Sequence, residues 1–173
     1  GAPGQPAPPR PPDPHLVVTG AGQSLTRVTS DPTDEYWPQL SPDGTMLVFE
    51  SMTRKIDAAG KALTDVNQQV VVGVSPGGGG GRTIYTPASS LSSAPSWFPD
   101  GKGFAFLSNA MGGWNLVRTL TRTPSGAIQL ILRGDMAPML DHPSVAPDGK
   151  RVTFEMSVSN TKYIGVVGTD GSS

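Results

Sequence analysis

An all-β fold, assembled from three repeated four-stranded antiparallel units, is what this sequence predicts. Three observations carry that prediction. The first is a repeated motif: PQLSPDGTMLVF from Pro38, PSWFPDGKGFAF from Pro95 and PSVAPDGKRVTF from Pro143 each place Pro first, Pro-Asp-Gly four residues on and Phe twelfth. The second is periodicity, because short alternating β-prone runs flank every Asp-Gly turn. The third is composition, since 18 prolines and 22 glycines in 173 residues argue against long helices.

The elements follow in chain order. Residues 1–14, GAPGQPAPPRPPDP, are mostly Pro, Gly and Ala, a composition that favours solvated, extended backbone and reads as a disordered tether. HLVVTG at 15–20 is either a further strand or an extension of that tether, and QSLTRVT at 23–29 reads as a strand. Each Pro-Asp-Gly then joins two strands, because Gly accepts positive φ without steric cost. Met46–Phe49, Phe104–Leu107 and Val152–Phe154 are the second strands of these hairpins. Third strands are expected at 69–74, 115–120 and 163–168, and fourth strands at 82–86 and 127–132. The segments 51–65 and 76–81 are polar or Gly-rich and are expected in loops.

The motif copies lie 57 and 48 residues apart, near the length of about 40–50 residues typical of propeller blades. The expected blades are about 30–86, 87–133 and 134–173, within a propeller region spanning 15–173. Three blades do not close a ring, since propellers typically have about 4–8. Copy three lacks a fourth strand, and 23–29 is a candidate closing strand for it. A partial or half propeller is therefore expected, either paired with a second copy, continued in a longer chain, or capped by another protein.

The segments YWPQLSPDGTMLVFES, SAPSWFPDGKGFAFLSN and DHPSVAPDGKRVTFEMS resemble the WD-like β-propeller repeats of the TolB family, over about residues 24–173. The aromatic at the third motif place is Trp97 in copy two, replaced by Leu40 and Val145 in the others, and Ser before Pro-Asp-Gly is kept only as Ser41. The resemblance implies a non-enzymatic scaffold of the bacterial cell envelope, periplasmic or associated with the outer membrane. It implies protein partners there, with membrane contact only through an N-terminal lipid anchor that this chain does not carry. The alternatives are a propeller segment of a prolyl-oligopeptidase-like peptidase or of a sugar lyase.

Chemistry is sparse. The net charge of −1 and the absence of Lys/Arg blocks exclude the electrostatic footprint of a nucleic-acid binder. With no cysteine there is no thiolate catalysis, disulfide or Cys-ligated zinc. The apolar runs are far shorter than the roughly 20 residues that span a bilayer. GVSPG at 73–77 fits Gly-x-Ser-x-Gly, but the glycines that follow cannot supply the helix a nucleophile elbow needs, so Ser75 reads as a loop residue. The Gly run before Arg82 lacks phosphate-loop spacing, because Pro76 stands where the first Gly belongs. DPTDE at 31–35 lacks the Gly turn of a calcium loop. His15 and His142 are the two histidines and are far apart in sequence, so no metal or other cofactor is expected. The stretches just before each Pro, Asp34–Trp37, Ser92–Ala94 and Asp141–His142, are expected to be loops on one face of the propeller. Rigidly held loops are where binding concentrates. Tyr36, Trp37, His142, Asp34 and Asp141 are accordingly the candidate protein-contact residues, and packing between blades is the competing role for the aromatic ones.

Overall fold

A computed structural model describes residues 28–29, 33–59, 62–77, 81–124, 127–136 and 139–172. The described residues form strands and turns with no helix, so no helix among them could cross a membrane. Blade 1 is a sheet of β1 (Asp34–Leu40), β2 (Leu47–Ile56), β3 (Ala62–Val74) and β4 (Thr83–Ile84), in that order. Blade 2 repeats the order with β5 (Ser92–Trp97), β6 (Phe104–Ser108), β7 (Asn115–Arg118) and β8 (Gln129–Leu132). Blade 3 has three described strands, β9 (Asp141–Val145), β10 (Arg151–Val158) and β11 (Thr161–Gly168), with β10 central. Every pairing is antiparallel.

The shared Pro-Asp-Gly builds one turn three times. Gly44, Gly101 and Gly149 have φ of 71°, 64° and 68°, a region that side chains disfavour. Their N–H groups donate to the carbonyls of Ser41, Phe98 and Ala146 at 2.8, 2.9 and 2.8 Å. The aspartate accepts from the residue after the glycine in each case: Thr45 N to Asp43 at 3.1 Å, Lys102 N to Asp100 at 3.0 Å and Lys150 N to Asp148 at 2.9 Å. Side-chain acceptance of this kind is why Asp recurs there.

The strands of blade 2 turn one face toward blade 1 and the other toward blade 3. Val48, Val71 and Tyr85 of blade 1 pack on Trp97, Phe104, Phe106 and Val117 of blade 2. Tyr85 and Trp97 both meet Phe104 edge-on, with centroids 4.9 and 5.3 Å apart. Leu107, Leu116 and Ile131 of blade 2 pack likewise on Val152, Phe154 and Val167 of blade 3. Burying one such side chain is worth about 1.5–3 kcal/mol, so these two layers hold the blades together. Polar ties add register: Trp97 Nε1 donates to the Gln39 carbonyl at 3.0 Å, and Val145 N to Ser96 Oγ at 3.1 Å. Arg122 pins the first turn to blade 2. It pairs with Asp43 at 2.9 Å and lies over the Trp97 ring at 5.1 Å, and hydrogen bonds from Ser41, Thr45 and Arg122 hold the Asp43 carboxyl well below the usual range.

One expectation is corrected. Residues 51–56 and 62–65 are strand rather than the expected loop, because β2 runs to Ile56 and β3 starts at Ala62, extending the hairpin beyond the blade core. The ladder tolerates register shifts around Arg54, and its paired backbone groups satisfy one another without an apolar face to mark them in the sequence. The tether and the 15–20 segment lie outside the described residues. Of the 23–29 stretch only Val28 and Thr29 are described, neither in a strand, and Val28 packs on Phe49, Val70, Val72 and Val74 of blade 1.

Candidate functional site

The stretches before each Pro are strands, not the expected loops: Asp34–Trp37 lies in β1, Ser92–Ala94 in β5 and Asp141–His142 in β9. Each carries the same defect. The ladders skip from Tyr36 to Gln39, from Ser93 to Ser96 and from Asp141 to Ser144, so that Trp37-Pro38, Ala94-Pro95 and His142-Pro143 each oppose a single phenylalanine, Phe49, Phe106 or Phe154. Two residues facing one define a β-bulge, and a bulge is where a sheet accepts proline, which has no N–H to give the ladder. The first and twelfth motif places are therefore the two sides of one structural device.

The residue before each proline adopts a left-handed conformation, with φ of 55° at Trp37, 48° at Ala94 and 46° at His142. None is glycine, and such a backbone costs on the order of 1–3 kcal/mol, held in place by the surrounding sheet. A bulge bends its strand and redirects a side chain. Trp37 and His142 meet edge-on with ring centroids 4.4 Å apart, although they belong to blades 1 and 3. Their contact bridges the first strands of the outer two blades across blade 2, whose equivalent residue is the small, buried Ala94. Trp37 remains 46% exposed and Tyr36 37%.

Charge gathers beside this pair. His142 Nδ1 lies 3.3 Å from Glu155 Oε1 and 3.4 Å from Asp141 Oδ2, while Lys162 Nζ donates to Glu155 Oε2 at 2.8 Å. The lysine hydrogen bond is the leading reason the Glu155 carboxyl lies below its ordinary range, and Lys162 is raised in return. Glu50 holds the same repeat position in blade 1, directly after the motif Phe, but is 4% exposed. It accepts from Gln69 Nε2 at 2.9 Å and from Ala94 N at 3.4 Å. Burial outweighs these bonds and pushes its pKa up, with the Asp141 charge adding to the rise. Blade 2 has Leu107 at this place. An open cleft of about 820 Å³ adjoins the cluster, with Leu107, Leu140, Met111 and Trp114 supplying apolar wall and Asp141, Glu155 and Lys162 its charged rim.

Of the five sequence candidates, Trp37 and His142 touch, Asp141 joins them, and Tyr36 and Asp34 lie on the strand that carries Trp37. Sequence reasoning missed Glu50, Gln69, Glu155 and Lys162. The signal was there for the two glutamates, which follow Phe49 and Phe154 in equivalent copies. Ser75 lies exposed just after β3. Among the described residues no group of three or more His, Asp or Glu side chains is arranged to hold a metal ion.

No family model matches the chain and no curated protein matches it. Solved structures do. TolB from Acinetobacter baumannii superposes with a TM-score of 0.54 at 15% identity, covering 79% of this chain and 30% of that one. A protein assigned as TolB from Agrobacterium tumefaciens gives 0.53 at 20% identity, covering 83% and 61%. The fold is TolB-like. An oligogalacturonate lyase in complex with manganese gives 0.47 at 18% identity, covering 82% of this chain and 36% of that one. The chain thus spans under a third of the first propeller's length and about three-fifths of the second's.

Proposed function

We propose that this chain is a non-enzymatic protein-interaction module of the bacterial cell envelope, periplasmic or associated with the outer membrane, and that it docks partners on the surface around Trp37 and His142. The observation that carries the reading is the bridge itself: a half-exposed tryptophan, held by a strained bulge and backed by a histidine from another blade, beside a charged and apolar cleft. Rigid aromatic side chains are the residues that most often anchor protein interfaces, and the charged rim of Asp141, Glu155 and Lys162 provides orientation rather than bulk affinity. The TolB-like fold supports the class of role and the location, since propellers present equivalent strand ends on one face.

Replacing both Tyr36 and Trp37 by alanine tests it. Capture of envelope proteins by the immobilised chain should fall at least tenfold while circular dichroism stays that of the parent. Undiminished capture by a folded double variant would remove these residues from the docking surface.

A further inference from the structure

Blade 2 stops short of both its neighbours. Beyond the motif phenylalanines Phe49, Phe106 and Phe154, the second strands run on to Ile56, Ser108 and Val158, so the middle hairpin is the shortest. Residues 109–114 close it at once: Gly112 and Gly113 take φ of 79° and 71°, and Gly112 N donates to the Asn109 carbonyl at 3.1 Å. A Cβ placed on either glycine would meet nothing within 4 Å. The open cleft of about 820 Å³ lies here, between the end of blade 2 and the strands of blade 3. Ligand sites typically measure about 300–1,000 Å³.

The two walls differ in kind. Blade 2 supplies Leu107, Met111, Trp114 and Leu130, of which the last three stay 47, 36 and 40% exposed. Blade 3 supplies Asp141, Glu155, Ser157 and Lys162. The charges lining the cleft are unbalanced, three carboxylates to two cations. Lys162 is taken by Glu155 at 2.8 Å and Arg133 by Asp135 at 4.0 Å. That leaves over the half-exposed carboxylate of Asp141, whose Oδ2 has the His142 imidazole at 3.4 Å. We propose that the cleft holds an extended peptide segment of a partner protein, with an apolar side chain against the blade 2 wall and an adjacent Lys or Arg directed to Asp141. Successive side chains of an extended chain point to opposite sides, so one apolar-basic pair addresses both walls at once. Met111 gives the apolar wall a flexible, polarisable side chain that adapts to different apolar residues. An open cleft also suits a chain that enters at one end and leaves at the other. The proposal rests on the reading of this chain as an interaction module and names the chemistry of its partner, since Asp141 and Glu155 border both the cleft and the Trp37–His142 bridge.

The test is selection of a random heptapeptide library, displayed on phage, against the immobilised whole chain, followed by fluorescence anisotropy with the selected peptides made synthetically. Enriched sequences should share an apolar residue next to Lys or Arg. Met111→Lys and Leu130→Lys should each weaken binding at least tenfold, and both positions are exposed enough that circular dichroism should stay that of the parent. Asp141→Asn should weaken binding at least threefold, and should leave unchanged the binding of the same peptide with its basic residue replaced by glutamine. No enrichment, an acidic or uncharged consensus, or binding that survives both lysine variants overturns the proposal. The Tyr36→Ala, Trp37→Ala double variant keeps the two readings apart. Peptide binding lost in that variant but kept in the lysine variants would overturn the cleft and leave the bridge standing, and the reverse pattern would support the cleft alone.

Discussion

Ala94 and Trp37 occupy the same place in the repeat, precede proline alike and share nearly the same φ, 48° and 55°. Yet Ala94 is 4% exposed and Trp37 46%. The difference is where the blades sit: Ala94 belongs to the middle blade, packed on both sides, and Trp37 to an outer one. The backbone device is thus common to the repeat, and what a bulge offers to the outside is decided by the side chain mounted on it. In the middle blade the bulge is filled by a methyl group. In the flanking blades the same bend carries an indole and an imidazole that reach each other.

The strongest way to break this comparison is to remove what the middle bulge rests on. Phe106 opposes Ala94-Pro95 and is fully buried, so Phe106→Ala should cost about 3–5 kcal/mol in urea unfolding. A loss under about 1 kcal/mol would show that the bulge does not depend on its phenylalanine. Enlarging the middle bulge comes next: Ala94→Leu should lower stability by about 1–3 kcal/mol through overpacking. Trp37→Gly, at the equivalent place, should change stability by less than about 1 kcal/mol, because relief of the left-handed backbone offsets the lost ring contact. Equal losses for Ala94→Leu and Trp37→Gly would erase the distinction between middle and flanking blades.

The smallest effect separates the two glutamates. Glu50 is raised by burial, so the folded state holds its proton more tightly than the unfolded one. Stability should therefore fall as pH rises from the ordinary glutamate range through the shifted value, and Glu50→Gln should flatten that fall and raise stability near neutrality. Glu155 is lowered, chiefly by Lys162, so its contribution is present above the ordinary range and is lost as pH falls through the folded value. Urea midpoints between about pH 2.5 and 8 for the parent and both Gln variants check the opposite signs, Glu155 on the acid side of the ordinary glutamate range and Glu50 on the basic side.

Much of the fold was legible in the sequence, because Pro-Asp-Gly and the alternating runs act locally: each turn needs only its own glycine and aspartate. Phe49, Phe106 and Phe154 were legible as packing residues. Their partnership with the proline of the same copy was not, because a bulge is a register property of two paired strands. That is also why Asp34–Trp37 and Asp141–His142 read as loops when they are strand. The long β2–β3 hairpin was missed for want of an apolar face. The site was half visible: Trp37, His142 and Asp141 stood out as residue types, but Lys162 reaches Glu155 only through the β10–β11 ladder.

The most direct measurement places a photo-crosslinking amino acid at position 37 and, in a second variant, at Ile84, an exposed residue on β4 of the same blade. Both variants are expressed in a bacterial envelope and irradiated. The account predicts discrete adducts, resolved by mass spectrometry, from position 37 and none shared with position 84. The same adducts from both positions, or adducts from position 84 alone, would contradict the placement of the docking surface at the Trp37–His142 bridge.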